Sequence, residues 1–163
     1  MKICAVGEEA VGKTSLIRRF VADKFSEEYI KTVGTHLSKK TVRLEDLDGG
    51  PIKVDAIIWD IMGQRSFSDL IQDAHFQGAK GVFAVCDITR TDTLGKLNGW
   101  LVKLFSTVGL VPVVIMANKW DLKTARQVRK EDMMRMSETY GSPYFLTSAK
   151  TGQNVPQAFE DLI

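Results

Sequence analysis

The stretch that decides the fold is residues 2–20, KICAVGEEAVGKTSLIRRF. Its first part, Ile3 to Val6, is a short apolar run of the kind that a strand buried on both faces requires. Its last part places Leu16, Ile17 and Phe20 on one helical face. The sequence therefore predicts a strand and a helix joined by a glycine-bearing loop.

That loop, Gly7 to Thr14, fits the pattern G-x-x-x-x-G-K-[ST] and opens the helix. Its glycines let successive backbone N–H groups face a phosphate, and the helix N-terminus adds the positive end of its dipole. Lys13 supplies a point charge for the outer phosphates, Thr14 a hydroxyl suited to magnesium, and Ser15 donors for the inner phosphate. The alternative is an ordinary glycine-containing turn, and the match in the right context favours phosphate binding.

Short apolar runs alternate with amphipathic stretches along the rest of the chain. Val54 to Trp59, Val82 to Cys86 and Val111 to Ala117 are typical of central strands. Leu94 to Val108 and Met133 to Tyr140 carry apolar residues at helical spacing. This order predicts β-α-β units with right-handed crossovers, whose ligands bind at the carboxyl ends of the strands.

A hairpin is the one departure from parallel pairing. Gly49 to Pro51 separates two extended stretches, His36 to Leu47 and Ile52 to Trp59, as a turn does. Tyr144 to Thr147 is a further strand-like run. The predicted fold is an α/β P-loop NTPase, with a mostly parallel six-stranded sheet, one antiparallel edge strand and helices on both faces.

Composition limits the remaining possibilities. A chain of 163 residues suits one domain, 1–163, and 44% hydrophobic with 26% charged residues is ordinary for a globular protein. The net charge of +2 indicates no nucleic acid partner. Cys4 and Cys86 lie in apolar runs, which suits reduced thiols, and no run approaches the roughly 18 residues of a membrane span. We expect a cytoplasmic location.

Two acidic residues at strand ends extend the phosphate site. Asp60 follows a strand, where it would hold magnesium directly or through water; alone, such a residue is more often part of a turn.

Asp121 is the last residue of the segment Asn118 to Asp121, which could alternatively be an ordinary polar turn. A carboxylate there accepts hydrogen bonds from the ring N–H and amine of guanine, and adenine offers neither in that arrangement. The pattern favours guanine over adenine.

Four motifs follow one another along the chain. They are Gly7 to Thr14 (G-x-x-x-x-G-K-T), Asp60 to Gln64 (D-x-x-G-Q), Asn118 to Asp121 (N-K-x-D) and Ser148 to Lys150 (S-A-K). With these motifs in this order, the chain resembles the Ras-like small GTPases over essentially its whole length. Its details are most similar to the Rab branch. These details are Trp59 before the acid, Thr32-Val33-Gly34, and Val85-Cys86-Asp87-Ile88-Thr89.

The resemblance implies a role for each matching residue. Gln64 orients the attacking water, and Lys13 and Thr32 complete the catalytic set. Magnesium is held by Thr14, Thr32 and, through water, Asp60. The residues implied to bind the nucleotide are Glu9, Ala10, Val11, Gly12, Lys13, Thr14, Ser15, Phe25, Tyr29, Thr32, Gly63, Asn118, Lys119, Asp121, Ser148, Ala149 and Lys150.

The resemblance also implies a molecular switch. Its cofactor is Mg²⁺, its substrate is GTP and its product is GDP. Hydrolysis is expected to be slow because no arginine in the motifs is placed to stabilise the transition state. Two loops, roughly Glu27 to Leu37 and Ile61 to Phe76, would change with the nucleotide and bind an exchange factor, a GTPase-activating protein and effectors. Membrane trafficking or signalling is the implied setting, with membrane attachment only through a lipidated terminus.

Glu9 departs from the family, which has a small residue at this position of the loop. A carboxylate near the terminal phosphate predicts impaired hydrolysis, unless the side chain simply extends into solvent. The alternative function is a guanine-nucleotide-binding interaction module that hardly hydrolyses GTP. A third possibility, an ATP-using phosphotransferase, is disfavoured by Asp121.

Further positions bear on which proteins the chain binds and on where its domain ends. Arg65, which follows the motif glutamine, replaces the glutamate usual in the family and leaves partner identity open. Leu37, Trp59 and Phe76 are either an exposed effector patch or core residues. Because the chain ends within a helical pattern at Ile163, we expect the domain to be truncated in its last helix.

Overall fold

The computed structural model describes residues 1–45, 50–63 and 69–163. The described residues form one sheet flanked by helices. The strands are β1 (Lys2–Val6), β2 (Thr35–Glu45), β3 (Pro51–Ile61), β4 (Gly81–Asp87), β5 (Val113–Asn118) and β6 (Tyr144–Leu146). The helices are α1 (Lys13–Ala22), α2 (Asp69–Phe76), α3 (Thr91–Val108), α4 (Lys130–Tyr140) and α5 (Val155–Leu162), with a short 3₁₀ turn at Lys123–Ala125.

The sheet has the strand order β2-β3-β1-β4-β5-β6. Neighbours from β3 to β6 pair in parallel, and β2 pairs antiparallel with β3 from Thr35 opposite Ile61 to Glu45 opposite Pro51. The six strands, their mostly parallel pairing and the antiparallel edge are confirmed. The predicted turn lies partly outside the described residues, because Gly49 is not among them.

Helices cover both faces of the sheet, as predicted. Alternate residues of β1 separate the two cores: Ile3 and Ala5 face α1 and α5, and Cys4 and Val6 face α2, α3 and α4. On the first face, the rings of Phe20 and Phe159 stack with centroids 4.1 Å apart. Burial of a large apolar side chain contributes about 1.5–3 kcal/mol, so these two layers hold the strand ends in place.

Two expectations about the second loop are corrected. The stretch predicted as a loop up to Phe76 contains helix α2, Asp69–Phe76. Phe76, at the end of that helix, is fully buried in the core beneath the sheet, so it does not contribute to an exposed patch. Tertiary burial of this kind stabilises helices too short to form alone. Leu37 is exposed, and Trp59 is partly buried with the Lys2 ammonium 3.7 Å from its ring centroid.

Both cysteines are buried and free, as their apolar surroundings predict. Burial raises the pKa of the Cys86 thiol to about 12 and that of Cys4 to about 11. Both side chains therefore behave as small apolar groups of the core. No described helix combines the length and the apolar character that a bilayer crossing needs.

Candidate functional site

A cavity of about 330 Å³ opens at the carboxyl ends of the central strands. This volume is in the range of small-molecule and cofactor sites. Its walls come from five segments that are distant in sequence: the loop into α1 with the start of that helix, the segment between α1 and β2, the loop after β3, the loop after β5 and the loop after β6. The predicted residues that line it are Glu9, Ala10, Gly12, Lys13, Thr14, Ser15, Phe25, Tyr29, Thr32, Gly63, Asn118, Lys119, Asp121, Ala149 and Lys150.

The loop between β1 and α1 needs glycine at two positions. Gly7 has φ +138°, and a Cβ there would lie 2.2 Å from the carbonyl oxygen of Val85. Gly12 has φ +100°, and a Cβ there would lie 2.2 Å from Nδ2 of Asn118. At these two positions the loop packs against β4 and the end of β5 too closely for any side chain, so glycine is needed at both.

Lys13 is a buried cation at one end of the cavity, with 6% of its surface exposed. Its Nζ donates to the carbonyl oxygens of Gly7 at 2.8 Å and Glu8 at 2.9 Å. Burial lowers the pKa of this ammonium to about 8, against the opposing effect of nearby acidic groups such as Asp60. A bound anion would raise this pKa again and stabilise the ammonium, which makes this end of the cavity suited to phosphate.

Three oxygen-bearing side chains meet beside Lys13. The hydroxyl of Thr14 donates to Oδ2 of Asp60 and lies 2.9 Å from the hydroxyl of Thr32. Burial raises the pKa of Asp60, whose Oδ1 is buried and has no hydrogen-bond partner among the described residues. Hydroxyl and carboxylate oxygens are ligands that Mg²⁺ prefers, and an orphaned buried oxygen needs a water or an ion. The residues present fit a magnesium ion.

At the other end of the cavity, Asn118 joins two loops. Its Nδ2 donates to the carbonyl oxygen of Val11 at 2.9 Å, and its Oδ1 accepts from the N–H of Ala149 at 3.2 Å. Asp121 lines the same end, where its Oδ1 accepts from the Ser148 hydroxyl at 2.6 Å. Asn118 therefore positions the loops, and Asp121 presents a carboxylate to the cavity at a set orientation.

Comparison with known proteins identifies the family of the chain. A family model described as the Ras family matches residues 2–163. The chain belongs to the Ras family. It is similar to Ras-related protein Rab-13 of Canis lupus familiaris, with 36% identity over 163 residues, 99% of this chain and 77% of the relative. It is also similar to Ras-related protein Rab-27B of Homo sapiens, with 33% identity over 170 residues, 100% of this chain and 78% of the relative. The predicted membership of the Rab branch is confirmed.

Two of the predicted nucleotide-binding residues of this Ras-family chain do not line the cavity. Val11 and Ser148 are fully buried and do not line the cavity; Val11 packs in the core, and Ser148 holds Asp121. Gln64 lies outside the described residues. The cavity wall also includes residues that the motifs do not contain, namely Arg18, Ser26, Glu27, Glu28, Ile30, Met62 and Leu122.

Asp87, at the end of β4, is a supporting residue that sequence analysis missed. Its Oδ2 accepts from Lys119 Nζ at 2.6 Å and from Arg90 Nε at 3.1 Å. Although burial raises its pKa, hydrogen bonds from Lys119 and Thr89 hold the pKa of Asp87 below its ordinary value. Asp87 lies at a strand end, as Asp60 does, and this position in the sequence is the signal that indicates a supporting role at the site.

Helix α3 fixes the phosphate loop of the Ras-family chain from outside. Trp100 Nε1 donates to Glu8 Oε1 at 3.0 Å, and Lys96 Nζ lies 3.4 Å from Glu8 Oε2. Arg90 Nη2 donates to the carbonyl oxygen of Glu9 at 2.9 Å. These contacts join positions that no local motif connects, and they make the loop a fixed part of the cavity wall.

Glu9 does not simply extend into solvent. Its carboxylate accepts a hydrogen bond from the Tyr29 hydroxyl at 2.9 Å and lies 3.6 Å from the Lys31 ammonium. Lys150, on the opposite rim, lies 2.6 Å from a carboxylate oxygen of Glu27. The segment between α1 and β2 is thus attached to both rims of the cavity.

Proposed function

We propose that this chain binds GTP and GDP with Mg²⁺, hydrolyses GTP slowly to GDP, and acts as a molecular switch for effector binding. One observation carries the proposal: a single cavity has the buried Lys13 cation at one end and the Asp121 carboxylate at the other. A ligand that satisfies both must have phosphates at one end and hydrogen-bond donors at the other. Guanine nucleotides have this chemistry.

At the base end, the two acceptor oxygens of Asp121 select guanine. Ser148 donates to one of them, and Asn118 holds the adjoining loops, so the carboxylate has little freedom to turn away. A carboxylate that a bound base encloses without giving it donors is costly, and adenine offers no matching pair of donors. Lys119, held by Asp87, and Ala149 with Lys150 complete this end of the cavity.

At the phosphate end, the loop from Glu9 to Ser15 surrounds the phosphates, and Lys13 neutralises their charge. Thr14, Thr32 and Asp60 would hold Mg²⁺, the last through water. The ion would supply charge neutralisation on the phosphate oxygens. Phe25 would pack against the base, and Tyr29 would cover the phosphates, as in the family that the chain resembles.

Hydrolysis is proposed to be slow. Gln64 would orient the attacking water, and Lys13 and Thr32 would position the terminal phosphate. Among the described residues, Arg90 is the arginine whose guanidinium contacts the phosphate loop. This guanidinium already donates hydrogen bonds to the carbonyl oxygen of Glu9 and to the carboxylate of Asp87. An arginine supplied by a partner typically adds about 10³- to 10⁵-fold. A GTPase-activating protein is therefore an expected partner.

The switch would act through two contacts with the phosphate end. Thr32 reaches Thr14 from the segment before β2, and Gly63 lies so close to the phosphate loop that a Cβ would be 2.5 Å from the Glu9 nitrogen. Loss of the terminal phosphate would weaken both contacts and alter the surfaces around 27–37 and 61–76. Exchange factors and effectors are proposed to bind there. The proposed setting is membrane trafficking or signalling from the cytoplasm, with membrane attachment only through a lipidated terminus.

A second candidate is a guanine-nucleotide-binding module with little or no hydrolysis. The carboxylate of Glu9 favours it, because it occupies the phosphate end of the cavity together with Tyr29 and Lys31. Release of phosphate over many turnovers distinguishes the two. The switch enzyme produces more phosphate than its own molar amount, with a faster rate in Glu9→Gly, whereas the module binds GTP and releases almost none.

Base selectivity tests the proposal directly. We expect the wild-type chain to bind fluorescent N-methylanthraniloyl-GDP, and excess GDP but not ADP to displace it. Asp121→Asn reverses the hydrogen-bonding pattern, so it should weaken guanine binding at least about 100-fold and favour xanthosine diphosphate. Asp161→Asn, an exposed change on α5, serves as the control. Guanine binding that is unchanged in Asp121→Asn contradicts the proposed base site.

A further inference from the structure

Residues 25–32, between α1 and β2, cross the mouth of the cavity, and three of their contacts with its rim carry the argument. At the base end, Lys150 and Glu27 form an ion pair of 2.6 Å. Between the ends, the hydroxyl of Thr32 lies 2.9 Å from that of Thr14. At the phosphate end, Tyr29 and Lys31 converge on one carboxylate. The first two attachments use residues already assigned to the site, and the third uses Glu9.

Glu9 is suited to act as an anchor because its backbone is held on two sides. Arg90 Nη2 donates to its carbonyl oxygen at 2.9 Å. Gly63 packs against the peptide that joins Glu8 and Glu9, where an added Cβ would lie 2.4 Å from the Glu8 carbonyl carbon. The carboxylate therefore projects from a fixed point of the loop, whereas Tyr29 and Lys31 belong to a segment without regular secondary structure.

The carboxylate of Glu9 offers Tyr29 and Lys31 the same kind of acceptor oxygen that a phosphate offers. A phenol O–H and an ammonium group are donors, and they bind carboxylate and phosphate oxygens alike. Burial and the hydrogen bond to Glu9 raise the pKa of the Tyr29 hydroxyl, so it stays protonated and remains a donor. Both donors thus have an acceptor that is part of the chain itself.

We propose that Glu9 is a built-in anchor that keeps the segment 25–32 closed over the nucleotide, irrespective of the number of phosphates on the nucleotide. This inference rests on the proposed guanine-nucleotide site. Its consequence is slow release of GDP, because the diphosphate lacks a terminal phosphate to hold Tyr29 and Lys31 and the carboxylate supplies the missing acceptor. The change with the nucleotide that is proposed for 27–37 would then lie in its later residues, from Thr32 onward, while Tyr29 and Lys31 stay bound to Glu9.

Release of N-methylanthraniloyl-GDP, followed after addition of excess unlabelled GDP, tests the contact. Tyr29→Phe removes only the hydroxyl and should speed release about tenfold, the effect expected for one charge-assisted hydrogen bond. Glu9→Ala should speed release at least as much, since it also frees Lys31. In the double variant, Tyr29→Phe should add nothing. Lys24→Gln removes a charge from the same segment at a side chain with no partner among the described residues, and it should leave release unchanged.

A second comparison tests the link to phosphate number. Glu9→Ala should accelerate release of labelled GDP more than release of a labelled, non-hydrolysable GTP analogue, because the third phosphate offers a replacement acceptor. Equal acceleration of both ligands overturns the proposal, and so does a Tyr29→Phe effect of the same size with and without Glu9. Failure of the wild-type chain to bind labelled GDP at all would instead refute the proposed function.

Discussion

The two ends of the cavity are built in different ways. The phosphate end comes mainly from one continuous stretch, Gly7 to Ser15, where a curled backbone and one lysine supply the donors. The base end is assembled from the loops after β5 and β6, which Asn118 ties to the phosphate loop across the sheet. A contiguous motif thus suffices for phosphate, whereas selection of a base depends on tertiary contacts.

Asn118→Ala should have the largest effect, because it removes a side chain that hydrogen-bonds to the loops at both ends of the cavity. Loss of two buried hydrogen bonds is expected to destabilise the fold by about 2–3 kcal/mol and to weaken GDP binding at least about 100-fold. Chemical denaturation and fluorescent GDP titration measure the two effects. If binding weakens no more than the loss of folded protein explains, the two ends are independent and the comparison fails.

The pH dependence of binding separates the phosphate end from the base end. Free Lys13 has a pKa of about 8, and a phosphate raises that pKa, so binding takes up a proton. Affinity should therefore fall as pH rises through 8, by about fourfold between pH 7 and 8.5. Calorimetry in buffers of different ionisation enthalpy measures the proton uptake.

Lys13→Arg is the control for this titration, since a guanidinium stays charged throughout the range. Its affinity should be lower than that of the wild type and nearly independent of pH between 7 and 8.5. An unchanged pH dependence in this variant would assign the proton to another group and remove the argument for Lys13.

Ala10→Gly should have the smallest effect, and it sharpens the description of the phosphate loop. Ala10 has φ +62°, in the left-handed region that costs an L-residue about 1–2 kcal/mol, part of which the unfolded-state entropy of glycine offsets. We expect a net stabilisation of about 0.5 kcal/mol by thermal or urea unfolding. Ala22→Gly, at the end of α1, should change stability in the opposite direction. Destabilisation by Ala10→Gly would show that the methyl group contributes packing that outweighs the strain.

The fold could be predicted largely because its central strands β1, β4 and β5 are continuous apolar runs buried on both faces. The exception is α2, Asp69–Phe76, a short helix that depends on burial of Phe76. Nothing in its local pattern separates it from a loop, since a helix of this length is marginal without tertiary contacts.

The candidate site was predictable where its chemistry is local. Lys13, Thr14 and Asp121 line or border the cavity where their motifs indicate. The partners of Glu8 and Asp87 were not predictable, because Glu8 meets Trp100 at a separation of 92 positions and Asp87 meets Lys119 through the pairing of β4 with β5. Side-chain pairs of this kind depend on the register of the sheet, which the sequence pattern does not specify.

The two buried cysteines have a practical consequence for spectroscopy. Thiol reagents attack the thiolate, and with pKa values of about 11 and 12 Cys4 and Cys86 hold almost none of it at neutral pH. A cysteine introduced at an exposed position such as Val33 would therefore react with maleimide labels while the native pair stays intact. Opening and closing of the segment before β2 then becomes measurable from the fluorescence of this single label, without first removing either native thiol.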